Sequence, residues 1–593
     1  MKREEQNIND TWRMEDMFPS DEVWEQDLDK ATEMVGQYSE FEGEISKNKE
    51  KLLTYFIFND KVNLLAERLY VYSNQKYHQD MANAKYQTYS GKAHKLVVDI
   101  GSAASFVEPE LLSMEEETLR SWIADERFAD YHRYVEEILR GKAYTLDEKT
   151  EKILAKSKRM ANAPDNIYAM YNGADIDFPT VTDSQGEKIK ITHGNFVPLL
   201  SGTDRELRKK AFHALYDTYG KMKNTIAATF NANVEQACFY ADVRGFSSTR
   251  AMYLHGSNVP ESVYDNLIEV VHENIHLMHR YVGIRKRALG VEQLHMYDIY
   301  APIAKAPEKK YTFDEAKSMV KAGLAPMGKA YLEKLQEGFD NRWIDIYENE
   351  GKRSGAYSWG AYGTHPYVLL NYQGTLDHVF TLAHEMGHAL HSYYSDANQP
   401  YINAGYKIFV AEVASTCNES LLIHNLLNKT EDKDTRAFLI NHFLEQFKGT
   451  LYRQTMFAEF EKITHDMVWE GETLTADKLC EIYYDLNKFY FGEDIVLDEE
   501  IALEWARIPH FYNPFYVYQY ATGISAAIAL SGKIMKEGEA GVKDYMKFLT
   551  GGGSKDPIDL LKLAGVDMTE KEPVSQALKL FEELLDEMES IVG

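Results

Sequence analysis

The chain has 593 residues, with 93 acidic against 65 basic side chains and a formal net charge of −28. A surface this negative repels phosphate backbones and excludes nucleic acid as a partner. An apolar fraction of 44% with 27% charged residues excludes wholesale disorder, and the length exceeds what one simple core supports.

The amino terminus, "MKREEQNINDTW", lacks the apolar centre of a secretory signal. No apolar run approaches the roughly 18 residues that span a bilayer. A cytoplasmic location without a membrane partner is therefore expected. Cys238, Cys417 and Cys480 are odd in number and widely spaced, as reduced thiols would be. Three divisions are expected: a helical region over 1–112, a helical and β-hairpin lobe over 113–202, and the motif-bearing domain over 203–593. The polar turn "SGTDRE" (201–206) is the clearest break.

Along the chain the reading is mostly α with a small β component. "IDFPTVTDSQGEKIKI" (176–191) predicts a hairpin turning at Ser184-Gln185-Gly186. Residues 314–339 and 435–468 place apolar side chains at three- and four-residue intervals, and Thr312 with Glu315 forms a capping box before the first. "HPYVLLNYQGT" (365–375) is an apolar run of strand length. It reads either as an edge that could pair with an extended peptide or as a packed interior strand. "TGGGSKDP" (550–557) lacks phosphate-loop spacing.

"TLAHEMGHALHSYY" (381–394) carries the chemistry. His384 and His388, four residues apart, share one helix face with a rise of roughly 6 Å, so both imidazoles can converge on one ion. Glu385 stands beside that ion without ligating it, placed to take a proton from water. His391 lies roughly 10 Å along the axis from His384, too far to complete the set on a straight helix. In "IFVAEVASTCNESLLIHNLL" (408–427) Glu412 is the stronger third ligand, because hydrolytic zinc sites use two histidines and a glutamate. Glu419, two turns on, can orient a ligand histidine. Thr375 is expected to cap the histidine-bearing helix.

Downstream, Asn513-Pro514 predicts an N-cap and first helical residue. That would set His510 and Tyr512 on a loop and Tyr516 and Tyr518 in the first helical turns. These groups could donate to an oxyanion. Among 40 tyrosines, a tyrosine-rich core helix is the competing reading.

"HEMGHALHSYYS" followed by "FVAEVASTCNE" resembles the thimet-oligopeptidase-like zinc peptidases, most closely their oligoendopeptidase F branch. The separation 412 − 384 = 28 fits that family's ligand spacing. "TWRMEDMFPSDEVWEQD" (11–27), "SGAYSWG" (354–360) and "IPHFYNPFYVYQYATGISAA" (508–527) resemble its segments in the same order. The resemblance implies a multihelical zincin-like metallopeptidase with a deep substrate channel, one Zn2+ ion, and endopeptidase action on short peptides. It favours Tyr518 as main oxyanion donor and His510 next, and leaves Tyr512 and Tyr516 open. An exopeptidase on the same scaffold, or a peptide-binding protein with an inactive site, are the alternatives. Oligomeric state is left open.

Overall fold

Helices dominate because apolar residues recur at helical spacing and polar side chains close the helix ends. The computed structural model describes residues 1–307 and 309–592. The chain forms two compact units, each assembled from three segments. The first comprises Met1–Thr145, Lys309–Asn425 and Leu530–Val566; the second comprises Leu146–Glu308, Leu426–Ala529 and Asp567–Gly593. These limits do not follow the sequence-order division at 112/113 and 202/203. The polar turn at 201–206 falls inside the second unit, where Asp204 caps the helix Arg205–Gly220.

Seven short strands are described: β1 (Thr180–Thr182), β2 (Lys188–Lys190), β3 (Leu294–His295), β4 (Ile344–Asp345), β5 (Tyr357–Trp359), β6 (Tyr367–Leu369) and β7 (Ile495–Val496). In the first unit, Asn48 caps the long helix Lys49–Gln79 by accepting from the amides of Glu50 and Lys51. Trp24 stacks on Tyr89 with ring centroids 4.1 Å apart and donates its indole N–H to the Leu69 carbonyl at 3.0 Å. The core built around these rings extends to Tyr367 and Leu369 of β6.

The sheet of this unit has the order β4-β6-β5, with β6 parallel to β4 and antiparallel to β5. The strand read at 365–372 is therefore central, not an edge, and all three residues of β6 are buried. A strand apolar on every side needs cover on every side. The edges fall to β4 and β5. The triple glycine at 551–553 packs tightly in the same unit: a Cβ on Gly553 would collide with the Gly405 carbonyl oxygen.

In the second unit β1 and β2 pair antiparallel, Val181 opposite Ile189, around a turn with Gly186 at φ +90°. β3 and β7 pair in parallel. The helical segment at 435–468 runs from Lys433 to Trp469 but widens to a π-helical turn at Phe447–Tyr452. The segment at 314–339 breaks at Leu324, giving helices Phe313–Gly323 and Gly328–Asp340. The Thr312–Glu315 capping box is present.

Candidate active site

Two helices build the site, and their donor residues lie in the first unit. Thr375 opens the first, Leu376–Asn398, by accepting from the His378 amide at 3.3 Å. Val379, Leu382, Ala383, Met386, Ala389 and Leu390 bury one face, which fixes the helix's rotation and turns His384 and His388 the same way. The second helix is Ala411–Lys429, with Glu412 in its first turn. The two approach closely at Gly387, where a Cβ would lie 2.6 Å from the Ser415 Cα. Asn418 ties them further, donating to the Ala383 carbonyl at 3.1 Å while accepting from the Tyr331 hydroxyl at 3.0 Å.

This packing brings three donor atoms together. Nε2 of His384 lies 3.2 Å from Nε2 of His388, and each is 3.3 Å from Oε2 of Glu412. Four ligands arranged tetrahedrally at about 2.0–2.1 Å from an ion stand about 3.3–3.4 Å from one another. The triangle thus has the dimensions of one face of such a tetrahedron, and the residues fit a metal ion. Glu419 Oε1 lies 2.5 Å from Nδ1 of His384. A carboxylate there accepts Nδ1–H and leaves the Nε2 lone pair directed at the other two donors. Ser415 Oγ donates to Glu412 Oε2 at 3.1 Å.

Electrostatics separate the two carboxylates. Burial opposes ionisation of Glu412, yet hydrogen bonds from His384 and His388 hold its carboxyl far below the usual range. Glu385 is 6% exposed, and burial raises its carboxyl above the ordinary value. Its Oε2 is buried with no hydrogen-bond partner among the described residues. An ionised acceptor and a buried acid with an unused oxygen, side by side, are what ligation and proton transfer respectively require. His391 stays out of the donor group. Its ring is buried and stacked on Tyr406 with centroids 3.9 Å apart.

In the second unit, Pro509–Tyr512 forms a 3-10 turn and the next helix begins at Tyr518, not at Pro514. The Asn-Pro signal is overridden at Phe515, whose φ is +55° and whose amide donates to the buried Glu461 Oε1 at 3.0 Å. Tyr516 therefore precedes the helix and Tyr518 starts it. The rings of His510 and Tyr516 lie parallel at 6.2 Å, and Tyr520, absent from the sequence reading, stands edge-on to both at 6.1 and 5.5 Å. Tyr512 turns elsewhere, stacked on Tyr168 at 4.2 Å with its hydroxyl 2.7 Å from Thr229 Oγ1. Tyr518 is buried against Tyr264 at 5.0 Å, and burial raises its phenol pKa. Two positions went unread in sequence. Gly387 needed the helix pair, and Tyr520 needed the true start of the helix.

A mostly helical chain whose histidine pair, glutamate and buried acid meet in this way is a metallopeptidase of the zincin type. The profile of peptidase family M3 matches residues 199–580, and that of the oligopeptidase F amino-terminal region matches 110–178. Oligopeptidase PepF of Bacillus subtilis (strain 168) is 47% identical over 591 residues, covering 100% of this chain and 88% of that protein. The chromosomal oligoendopeptidase F of Lactococcus lactis subsp. cremoris is 40% identical, covering 98% and 97%. The crystal structure of oligoendopeptidase-F from Enterococcus faecium superposes with a TM-score of 0.76 at 34% identity, covering 96% of this chain and 99% of that one. The chain belongs to peptidase family M3, in its oligopeptidase F group, and is a peptide-hydrolysing metalloendopeptidase. Among the described residues no helix is long and apolar enough to cross a membrane.

Proposed function

We propose that this enzyme is a one-zinc endopeptidase of the cytoplasm that cleaves internal bonds of short peptides. The observation that carries the zinc reading is the donor triangle of His384, His388 and Glu412, whose edges of 3.2 and 3.3 Å suit a tetrahedral ion with an open fourth position. When bound, zinc would polarise the scissile carbonyl and acidify a water molecule. Glu385 takes the proton of the attacking water and passes it to the leaving amine, a role suited to a buried acid of raised pKa. Glu419 holds His384 in the ligating tautomer.

The oxyanion donors are assigned among the downstream aromatic group. His510 and Tyr516 keep each other's company with Tyr520, whereas Tyr512 and Tyr518 are engaged in packing. We therefore place the donor role on His510 and Tyr516, with Tyr520 added, and a structural role on Tyr512 and Tyr518. Free Cys238, Cys417 and Cys480 support the reducing compartment. Substrate length follows the names of the relatives, which are oligopeptidases. We keep the divisions at 112/113 and 202/203 as a proposal; the two matched profiles start close by, at 110 and 199.

Glu385→Gln decides the mechanism. With internally quenched peptides it is expected to lose roughly 10²–10⁴-fold in kcat while still binding the metal. Cleavage equal to that of the native enzyme would refute the assignment. Product masses from end-blocked peptides test internal cleavage, since an exopeptidase leaves blocked ends intact.

A further inference from the structure

One cluster inside the second unit gathers more cations than carboxylates. Arg453 and Arg507 share a single carboxylate: their Nη2 atoms lie 2.7 and 2.8 Å from Glu504 Oε1. Tyr216 also donates to Glu504 Oε1, at 3.3 Å, and Tyr483 donates to Oε2, at 2.6 Å. Next to this group, Glu445 answers both Arg285, at 2.6 Å, and Lys448. Four cations thus face two carboxylates, an imbalance of 4 − 2 = 2 charges. Burial pushes Lys448 down to about 8, while Glu445 beside it favours the charged form. Burial opposes ionisation of Glu504, yet Arg453 and Arg507 hold it down to about 2. Unbalanced charge inside a protein is costly unless a partner offsets it.

A cavity of ≈ 40 Å³ opens beside these groups, bounded by Lys448, Arg453, Glu504 and Arg507, with Phe212 and Phe491 among its apolar walls. Arg453 bonds Glu504 through Nη2, and Arg507 bonds Glu504 and Tyr216 through Nη2 and Nε. Among the described residues no protein acceptor meets Nη1 of either arginine. Both side chains nevertheless keep slight accessibility, 19% and 18%, though each is enclosed by neighbours and lines the cavity. The π-helical turn Phe447–Tyr452 delivers Lys448 and Gly449 to the same wall. Such turns interrupt the regular ladder and recur at functional sites.

We propose that this cavity binds a small monovalent inorganic anion of halide size, held by Arg453, Arg507 and Lys448 as a counter-charge to this cluster. A water position takes about 10–15 Å³ of such space, so the cavity admits an ion with one or two waters and excludes a peptide. The site is separate from the metal-binding residues, and its anion stabilises the fold rather than entering the reaction.

Bromide serves as probe on the full-length holoenzyme. At constant ionic strength, replacing gluconate by bromide or chloride is expected to raise Tm saturably. Gly449→Val puts bulk where a Cβ would meet no atom within 4 Å, and should weaken that dependence by roughly tenfold or more. An anomalous bromide peak among Arg453, Arg507 and Lys448 in crystals of the native enzyme is the direct readout. That measurement stands even if the variant does not fold. An empty cavity at high bromide, or the same anion dependence in native and Gly449→Val protein, would overturn the proposal.

Discussion

His391 follows His388 by three positions on one helix, yet the two imidazoles have opposite surroundings. His388 joins the donor triangle, whereas His391 is sealed between Tyr406 and Phe548, and its Nδ1 has no partner among the described residues. Burial pushes His391 down to about 3. An unfolded histidine titrates near 6.5. Between these values the unfolded chain binds a proton that the fold excludes, so this residue makes stability fall as pH drops below about 6.5, by about 1.4 kcal/mol per pH unit. Phenylalanine keeps the stack and removes the titration. The Tm of His391→Phe, relative to native protein in chelator, should therefore rise steadily from pH 7 to pH 5. A difference independent of pH would show that the imidazole is not buried uncharged. Spacing alone excluded His391 from the ligand set; its place in an aromatic stack depends on Phe548, far away in sequence.

The helix pair is where local and long-range information part. Four-residue spacing fixes that His384 and His388 share a face, because the helical period alone requires it. How close Glu412 comes depends on Gly387, whose missing side chain lets Ser415 approach. By propensity, Gly387→Ala should stabilise the helix by about 1 kcal/mol. Packing opposes this: the new Cβ would sit 2.6 Å from Ser415 Cα and 2.8 Å from the Ala414 oxygen, backbone atoms that cannot swing aside. Overpacking of this kind costs roughly 1–3 kcal/mol, so packing wins. The helices separate, Glu412 withdraws, and metal affinity by dye competition falls roughly tenfold or more. Native affinity with a higher Tm would show that the contact is slack. The downstream loop is the opposite case. Asn513-Pro514 is a sound local helix signal, but Glu461 captures the Phe515 amide and holds a positive φ that delays the helix to Tyr518. One tertiary hydrogen bond thus reassigns which tyrosine faces His510. In the same way β6 reads as a strand from its residues, while its central place depends on pairing with β4, twenty-odd residues upstream.

At the scale of the whole chain, the fold class was legible because helical periodicity repeats through every segment. The two-unit architecture was not, because each unit gathers three separated stretches and no linker composition marks the joins. The metal ties this architecture to stability in a testable way. All three donors belong to the first unit, and without an ion only the hydrogen bonds of His384 and His388 to Glu412 hold them together. An ion that binds only the folded state adds RT ln(1 + [M]/Kd), about 4 kcal/mol at a thousandfold excess over Kd. That energy is delivered to two helices, Leu376–Asn398 and Ala411–Lys429. Chelation should lower Tm and speed amide exchange in those helices, and zinc should restore both. The helix Arg205–Gly220, in the second unit and bearing no donor, is the internal reference and should change far less. If exchange rises equally in all three helices, the ion acts on the whole fold; if it rises in none, the triangle does not hold the metal.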